Sequence, residues 1–285
     1  MINKTTRTGH WGQDRRLEFI DFRLLWEGRL NRSDITTFFR ISVPQASLDL
    51  AKYQEIAPNN IVYDRTQKAY ISTSFFKPVF ATFDSNYYLN ELIGRENGIL
   101  APTESFIGWE PSVACLPLPS RKVQPEILIS VIRAMQKKDA LVVDYRSMTN
   151  EVAIRTLLPT AFAHDGHRWH IRAYCFKSDM YKDFVLGRFF QIIESTKSST
   201  SVPEDTEWDS YIDVIIGPNP NYDPKKRLAI EHDYQMVNGE VKIRIRKAQL
   251  YYLKRQLNLD CKEVDFENDR QQIILLRIEE ASESY

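Results

Sequence analysis

Apolar residues in the N-terminal part of the chain recur at helical spacing. Leu17, Ile20, Leu24 and Leu25 fall on one side of a helix. The pattern predicts an amphipathic helix over residues 15–28 that ends at Gly28. A shorter helix with the sequence SDITTFFR is predicted to follow, with its isoleucine and two phenylalanines as the apolar face.

A third helix is predicted to begin within the turn ISVP. Ser42 is suited to cap its first turn, and Pro44 fits inside that turn because a helix start leaves its N–H groups unpaired. The residues expected on the buried side are Ala46, Leu50 and Tyr53. The residues expected on the solvent side are Gln45, Ser47, Asp49 and Lys52.

Two strands around a basic loop are predicted next, in the run NNIVYDRTQKAYIS. Helix, short helix, tight turn, helix and basic hairpin are the elements of a winged helix-turn-helix, whose second paired helix enters the major groove of DNA. Exposed Gln, Ser and Lys side chains suit hydrogen bonds to bases and phosphates. On this interpretation the DNA-binding residues are Arg40, Ser42, Gln45, Ser47, Lys52, Arg65 and Lys68. The pattern is also typical of a small packing module whose polar face binds nothing.

Two segments are expected to be linkers. Residues 111–120 are rich in proline, which blocks regular elements, and the polar run STKSSTSVPED lies further along the chain. The expected domains are residues 1–110, 121–197 and 206–285.

The densest group of titratable residues lies in the run HDGHRWHIRAYC, which contains three of the chain's five histidines. Asp165-Gly166 between two strand-like runs predicts a hairpin with a two-residue turn. In that register Phe162 lies opposite Trp169 on the core face.

The other face of this hairpin is expected to hold a row of cations. Arg168, His170 and Arg172 would stand over small or apolar residues, with no carboxylate opposite them on the partner strand. Unpaired cations with an aromatic residue nearby suit an anionic or nucleobase-bearing ligand. A solvated strand face that binds nothing explains the same pattern.

A second hairpin is predicted around the turn Asn238-Gly239. Its register places Arg244 opposite Asp233, so this arginine would have a partner within the sheet. The contrast makes the first hairpin the candidate binding surface.

Charge is distributed in blocks. Basic residues outnumber acidic ones by 9 to 6 in residues 1–53 and by 13 to 8 in residues 121–200, and the remaining blocks are acidic. Overall neutrality therefore does not exclude a nucleic-acid partner, although chance produces differences of this size.

Several other classes are disfavoured. There is no apolar stretch of the ~20 residues needed to cross a bilayer, no signal-peptide core and no Cys-x-x-Cys pair. His167 and His170 point to opposite strand faces, and no third ligand joins His164, so neither a metal nor another cofactor is expected. No catalytic motif that positions a nucleophile or a phosphate is found.

These runs resemble those of a known family. The helix-turn-helix and wing of bacterial WYL-domain transcriptional regulators are similar to ISVPQASLDLAKYQEIAPNNIVYDRTQKAYI. Their WYL domain is similar to LVVDYRSM, LLPTAFAHDGHRWHIRAYC and YKDFVLGRF, with His170 in place of the tyrosine of the Trp-Tyr-Leu motif. The chain most resembles the BrxR/CapW type, which controls phage-defence operons.

The resemblance implies an α+β, multidomain fold. It would comprise an N-terminal winged helix-turn-helix, a central Sm-like β-barrel (the WYL domain) and a C-terminal α/β domain of the WCX-like, ferredoxin-like type. It also implies a homodimer on an inverted repeat of double-stranded DNA and a groove for a nucleic-acid or nucleotide effector. Carried over residue by residue, the groove would contain Tyr145, Ser147, Arg155, His164, Arg168, His170, Arg172 and Arg188.

The sequence therefore predicts a cytoplasmic, non-enzymatic, dimeric transcriptional repressor. Two alternatives stay open. A nucleic-acid-processing enzyme that uses the histidine cluster would degrade bound oligonucleotide. A single-strand RNA-binding adaptor would prefer RNA to every duplex.

Overall fold

The computed structural model describes residues 11–117, 119, 121–148, 153–197, 201–260 and 271–281. The chain divides into two compact units, Met1–Leu118 and Pro119–Tyr285. Among the described residues, the helices are all too short or too polar to span a membrane.

The first unit combines helices with a small antiparallel sheet. Its helices are α1 (Trp11–Glu27), α2 (Arg32–Phe39), α3 (Val43–Ile56) and α4 (Ser85–Glu96). Its strands are β1 (Arg29–Leu30), β2 (Ile61–Asp64) and β3 (Ala69–Ser72), in the order β1-β3-β2. The predicted order of helix, short helix, helix and hairpin is confirmed.

Local capping sets the helix ends in this unit. Helix α1 ends before Gly28, whose φ of +73° is the left-handed conformation that glycine adopts without strain. Ser42 caps α3 by accepting a 3.4 Å hydrogen bond from the Gln45 N–H, and Pro44 lies in the first turn, as predicted.

A buried carboxylate ties the segment after the hairpin to α1. Asp21 is fully buried, and Tyr53 donates its hydroxyl proton to the Asp21 carboxylate. The backbone N–H groups of three consecutive residues donate to the same carboxylate over 2.7–2.8 Å; they are Val79, Phe80 and Ala81. The negative charge is thus compensated by four donors inside the core.

Asp49 was predicted to face solvent, and that prediction is wrong. Its side chain is fully buried between α3 and α1. Arg16 of α1 donates to the Asp49 carboxylate from Nε over 2.6 Å and from Nη2 over 3.2 Å. The carboxylate is stable there because the guanidinium compensates its charge and satisfies its acceptors.

The second unit begins with a helix packed on a five-stranded antiparallel sheet. The helix is α5 (Pro125–Lys137). The strands are β4 (Asp139–Tyr145), β5 (Ala153–His164), β6 (Trp169–Cys175), β7 (Met180–Val185) and β8 (Phe189–Lys197), in the order β7-β6-β5-β4-β8. Within the described strands β7 and β8 are the two edges, so the sheet is not a closed barrel.

A three-stranded antiparallel sheet and three helices complete the second unit. The helices are α6 (Thr206–Asp209), α7 (Pro224–Asp233) and α8 (Leu250–Gln256). The strands are β9 (Tyr211–Pro218), β10 (Val241–Arg246) and β11 (Ile273–Glu280), in the order β10-β9-β11. Ile212, Val214 and Ile216 of β9 pack with apolar residues of α7 and α8.

The second predicted hairpin is wrong in its first strand. The run EHDYQMV begins inside α7, because Asp223 caps that helix by accepting hydrogen bonds from two backbone N–H groups. The tight turn at Asn238-Gly239 does form, with φ of +55° and +76°. Strand β10 then pairs with β9, so Arg244 is bonded to Asp213 over 2.9 Å rather than to Asp233.

The first predicted hairpin forms with a different register. Its loop is four residues long, since the Asp165 N–H bonds to the carbonyl oxygen of Arg168, and β6 starts with Trp169 opposite His164. A bulge near Thr160 takes up one residue of the shift, and beyond it Leu158 lies opposite Tyr174. The two-residue turn was wrong because the Asp165 side chain organises the longer loop.

Candidate functional site

Five of the candidate DNA-binding residues are exposed at the surface of the first unit. Arg40 and Ser42 lie in the turn between α2 and α3, and Lys52 lies on α3. Arg65 and Lys68 lie in the turn between β2 and β3. Their charged and hydroxyl groups are accessible to a phosphate backbone, although Lys52 also forms a 2.9 Å ion pair with the exposed Glu55.

The β2–β3 turn is held in shape by one carboxylate. Asp64 accepts hydrogen bonds from the N–H groups of Gln67 and Thr66 over 3.0 and 2.7 Å. These hydrogen bonds hold the pKa of Asp64 below its ordinary value, and the bond from Gln67 has the largest effect. The turn that carries Arg65 and Lys68 is therefore ordered before any ligand binds.

The remaining two candidates on α3 are half-buried and bonded within the helix. Gln45 donates from Nε2 to Asp49 over 3.2 Å. Ser47 donates from Oγ to the carbonyl oxygen of Val43 over 2.9 Å. Each side chain has used a donor inside α3.

A cavity of about 390 Å³ lies beside the first hairpin of the second unit. It is lined by cationic and titratable residues and by one tryptophan: Arg121, Lys122, His164, His167, Arg168, Arg188 and Trp169. Three predicted groove residues are among them, namely His164, Arg168 and Arg188.

Trp169 was predicted on the core face of the hairpin, and that prediction is wrong. It is 51% exposed because it is the first residue of β6, next to the loop. Its ring lies against that of His164, with centroids 4.7 Å apart. The cavity thus has an aromatic wall as well as cations.

Asp165 organises the loop at the edge of this cavity. Its carboxylate accepts hydrogen bonds from the backbone N–H groups of His167 and Arg168 over 2.9 and 2.8 Å, and from Nε of Arg168 over 3.0 Å. Burial alone would raise the pKa of Asp165. Its hydrogen bonds outweigh burial and lower the pKa well below the ordinary value, and the bond with His170 contributes most to this lowering.

The expected row of exposed, unpaired cations does not form. His170 is only 2% exposed, and its Nε2 lies 2.9 Å from Asp165. Arg172 is 4% exposed and donates to Asp205 over 2.7 and 2.8 Å, to Glu207 over 3.0 Å and to Asp183 over 3.4 Å.

The partners of Arg172 come from outside the predicted hairpin. Asp183 lies opposite Arg172 on β7, the strand on the other side of β6, and Asp205 and Glu207 follow the sheet in sequence. Burial alone would lower the pKa of Arg172, but the hydrogen bonds to Asp205 and Glu207 outweigh it and raise the pKa. Arg172 is therefore a buried structural cation that does not line the cavity.

The other expected groove residues are not among those that line the cavity. Tyr145 is buried against Phe184 and Phe189, and its hydroxyl accepts a 3.1 Å hydrogen bond from the Val185 N–H. Ser147, just after β4, is half-buried. Arg155 is half-buried as well and lies opposite Val143 on β4. In the part of the chain that the structure describes, no cluster of three or more His, Cys, Asp and Glu residues is placed to hold a metal.

Sequence reasoning missed two cationic residues of the cavity wall. Arg121 and Lys122 directly follow the proline-rich segment, which was interpreted as a linker, and they line the cavity together with Arg188. The backbone of Lys122 comes close to Gly187, where an added Cβ would lie 3.4 Å from the Lys122 carbonyl oxygen. The adjacent Arg-Lys pair was the only signal in the sequence.

Three family models match the chain. A model described as the BrxR transcriptional regulator winged helix-turn-helix domain matches residues 12–93. A WYL domain model matches residues 126–193, and the BrxR transcriptional regulator C-terminal dimerization domain matches residues 211–281.

Curated relatives match over nearly the whole chain, and each is named DNA-binding transcriptional repressor CapW. The protein of Escherichia coli (strain KTE188) is 41% identical over 257 residues, which is 90% of this chain and 86% of that protein. The protein of Stenotrophomonas maltophilia is 40% identical over 96% of this chain and 92% of its own length. That of Pseudomonas aeruginosa is 38% identical over 99% of this chain and 93% of its own.

A solved structure of the proteasome accessory factor B/C (PafBC) of Arthrobacter aurescens aligns with 93% of this chain and 44% of its own. Its TM-score of 0.31 and sequence identity of 12% are too low to indicate a shared fold. The identities of 38–41% over at least 90% of the chain do establish a relationship. The chain belongs to the BrxR and CapW family of WYL-domain transcriptional regulators.

Proposed function

We propose that the chain is a homodimeric, DNA-binding transcriptional repressor. The observation that supports this most directly is helix α3, whose capped start and exposed side chains lie within a winged helix-turn-helix. The second helix of such a pair enters the major groove, and the wing contacts phosphates. The relatives named CapW are DNA-binding transcriptional repressors.

A dimer on an inverted repeat fits the remainder of the chain. The match to a C-terminal dimerization domain supports a homodimer. Two copies related by a two-fold axis fit two half-sites of opposite direction. As in the family that the sequence resembles, the operator would belong to a phage-defence operon, and the protein would act in the cytoplasm.

The test is fluorescence anisotropy on the duplex upstream of the chain's own gene, against a scrambled duplex of equal length, across a salt series. Tight binding that prefers the native duplex is expected, with affinity falling as salt rises because phosphate contacts release counterions. Equal, steeply salt-dependent binding to both duplexes would reject the repressor. The RNA-binding adaptor and the nucleic-acid-processing enzyme would then become the leading candidates.

The proposed effector is a nucleotide or a single-stranded nucleic acid bound in the cavity of the second unit. Its volume of about 390 Å³ is that of a small-ligand pocket. Exposed Trp169 provides a face on which a base stacks, while Arg168 and Arg188 supply charge for phosphate. His164 lies against the tryptophan.

We further propose that the other groove residues act from behind the cavity. His170, Arg172 and Tyr145 are buried, so they would hold the strands that shape it. Ser147 and Arg155 keep a proposed role only if an effector extends along the sheet beyond the cavity.

The finer domain types are proposals as well. Helix α5 followed by antiparallel strands, with β8 returning beside β4, supports the Sm-like type. The sheet β10-β9-β11, with α7 and α8 packed on β9, supports the WCX-like, ferredoxin-like type.

A further inference from the structure

The side of α3 that faces away from the core of its unit combines apolar side chains with the charged residues Lys52 and Glu55. Leu48 is 64% exposed and Val43 is 55% exposed. Pro44 and Ala51 on the same side are exposed too, whereas Tyr53 on the opposite side is fully buried. The helix assigned to the major groove therefore presents hydrocarbon as well as polar groups.

Leu48 lies at the centre of this surface. Helical spacing places Pro44 one turn before it and Lys52 one turn after it. Single exposed leucines are common on protein surfaces. In the major groove, however, base edges offer one apolar group for such a side chain to contact, the C5 methyl group of thymine.

The polar side chains beside Leu48 present acceptors. Ser47 has donated its proton to the carbonyl oxygen of Val43, and Gln45 has directed its amide N–H towards Asp49. The atoms that remain for DNA are Oγ of Ser47 and Oε1 of Gln45, which accept hydrogen bonds, and the second amide N–H of Gln45.

An apolar surface bordered by acceptors matches an A·T pair. Thymine supplies the methyl group and the N6 amine of adenine supplies a donor, whereas a G·C pair offers a donor at cytosine N4 but no methyl group. We propose that Leu48 determines specificity by contacting thymine methyl groups in each half-site, while Ser47 and Gln45 accept hydrogen bonds from adenine N6. This inference rests on the proposed DNA-binding function.

The test uses the full chain and the duplex upstream of its own gene, with each thymine replaced in turn by deoxyuridine. Deoxyuridine lacks only the methyl group, so the charge and the base pairing of the duplex are unchanged. Anisotropy at fixed salt should show an affinity loss of about three- to fivefold per buried methyl group at one or more positions in each half-site.

Leu48→Ala should bind the thymine duplex more weakly and no longer distinguish it from the deoxyuridine duplex at those positions. The matched control is Leu89→Ala, which removes a leucine that is 53% exposed on α4. This control should keep the full discrimination. Circular dichroism and thermal unfolding establish that both variants are folded.

The proposed hydrogen bonds from adenine N6 to Ser47 and Gln45 are tested separately. Replacing adenine with deoxynebularine removes the N6 amine and should weaken binding of the parent several-fold at the paired positions. The Ser47→Ala, Gln45→Ala double variant should show no such loss.

The outcomes separate this inference from the proposed function. A parent that prefers the native duplex but binds thymine and deoxyuridine duplexes equally overturns the methyl contact and leaves the repressor intact. Full discrimination by Leu48→Ala also overturns the inference. Equal binding to native and scrambled duplexes overturns both the thymine contact and the proposed repressor function.

Discussion

The hydroxyl group of Tyr252 on α8 donates a 3.0 Å hydrogen bond to Asp183 on β7 and lies 3.5 Å from Nδ1 of His170 on β6. The rings of Tyr252 and His170 are in contact, with centroids 4.7 Å apart. Nε2 of the same histidine lies 2.9 Å from Asp165, which organises the loop beside the cavity. A side chain within the match to the dimerization domain thus contacts His170, which is bonded to the loop beside the candidate effector site.

Tyr252→Phe should destabilise the second unit by about 1–2 kcal/mol, because it keeps the ring contact but removes a donor from the poorly exposed Asp183. Burial, then the charge of Asp183, raises the pKa of Tyr252, so its hydroxyl stays a donor. Urea denaturation measures the change. Tyr251→Phe, at an exposed neighbour, should cost less than about 0.5 kcal/mol, and equal losses would contradict this role.

Asp205→Ala should destabilise the second unit by about 3 kcal/mol or more, because it removes the two shortest hydrogen bonds of the buried Arg172 guanidinium. The control is Asp209→Ala at the exposed end of α6, where a loss within about 0.5 kcal/mol is expected. Chemical denaturation measures the free energy of unfolding of both variants. A small loss for Asp205→Ala would mean that Asp183 and Glu207 suffice.

Arg188→Ala and Arg121→Ala should each weaken binding of a single-stranded oligothymidine probe by about tenfold, because each removes a charge from the cavity wall. Binding to the native duplex should be unchanged. Arg133→Ala, on the exposed surface of α5, is the control for overall charge. If the control weakens probe binding equally, the probe binds a diffuse basic surface rather than the cavity.

Gly108→Ala should destabilise the first unit by about 1–3 kcal/mol. An added Cβ would lie 1.2 Å from Nη1 of Arg23, which is held by a 2.8 Å ion pair to Glu27. Gly12→Ala, where the nearest neighbour of the added Cβ is 3.5 Å away, should be neutral or slightly stabilising in α1. Thermal unfolding that ranks the two variants in the opposite order would exclude the close packing at Gly108.

Acidification should destabilise the second unit through Asp213. The hydrogen bonds from Arg244 and then Lys242 lower the pKa of Asp213 to about 2. Because the unfolded-state pKa is higher, about 3.9, this contribution is fully present above about pH 4 and is lost as the pH falls through 2.

Asp213→Asn should therefore flatten the dependence of stability on pH over that interval, measured by thermal unfolding at a series of pH values. Asp233→Asn, an exposed substitution at the end of α7, is the control. A parent-like acid profile in Asp213→Asn would show that other carboxylates account for the loss.

The helices of the first unit were predictable because their signals are local. Ser42, Pro44 and Gly28 fix helix ends through caps and backbone conformation within a few residues. Apolar spacing also placed Ala46 and Tyr53 on the buried side correctly. The burial of Asp49 was not predictable in this way, since its partner Arg16 is 33 positions away.

The candidate effector site was only partly predictable for the same reason. The sequence identified the histidine- and arginine-rich hairpin, but its register depends on the side chain of Asp165 and on a bulge. Whether Arg172 is free depends on β7 and on Asp205, which pairing rules for one hairpin do not include. Substituting Arg172 therefore tests stability before it tests ligand binding.

The close approach of Lys122 to Gly187 would have a consequence for regulation by the proposed effector. Residues 121–123 line the cavity and lie a few positions after Leu118, where the first unit ends. The effector proposed for this cavity would therefore contact the stretch of chain that joins the two units. If operator binding restricts that path, effector affinity must change by the same factor by which the effector changes operator affinity. Operator length and half-site spacing would then be variables that set effector sensitivity.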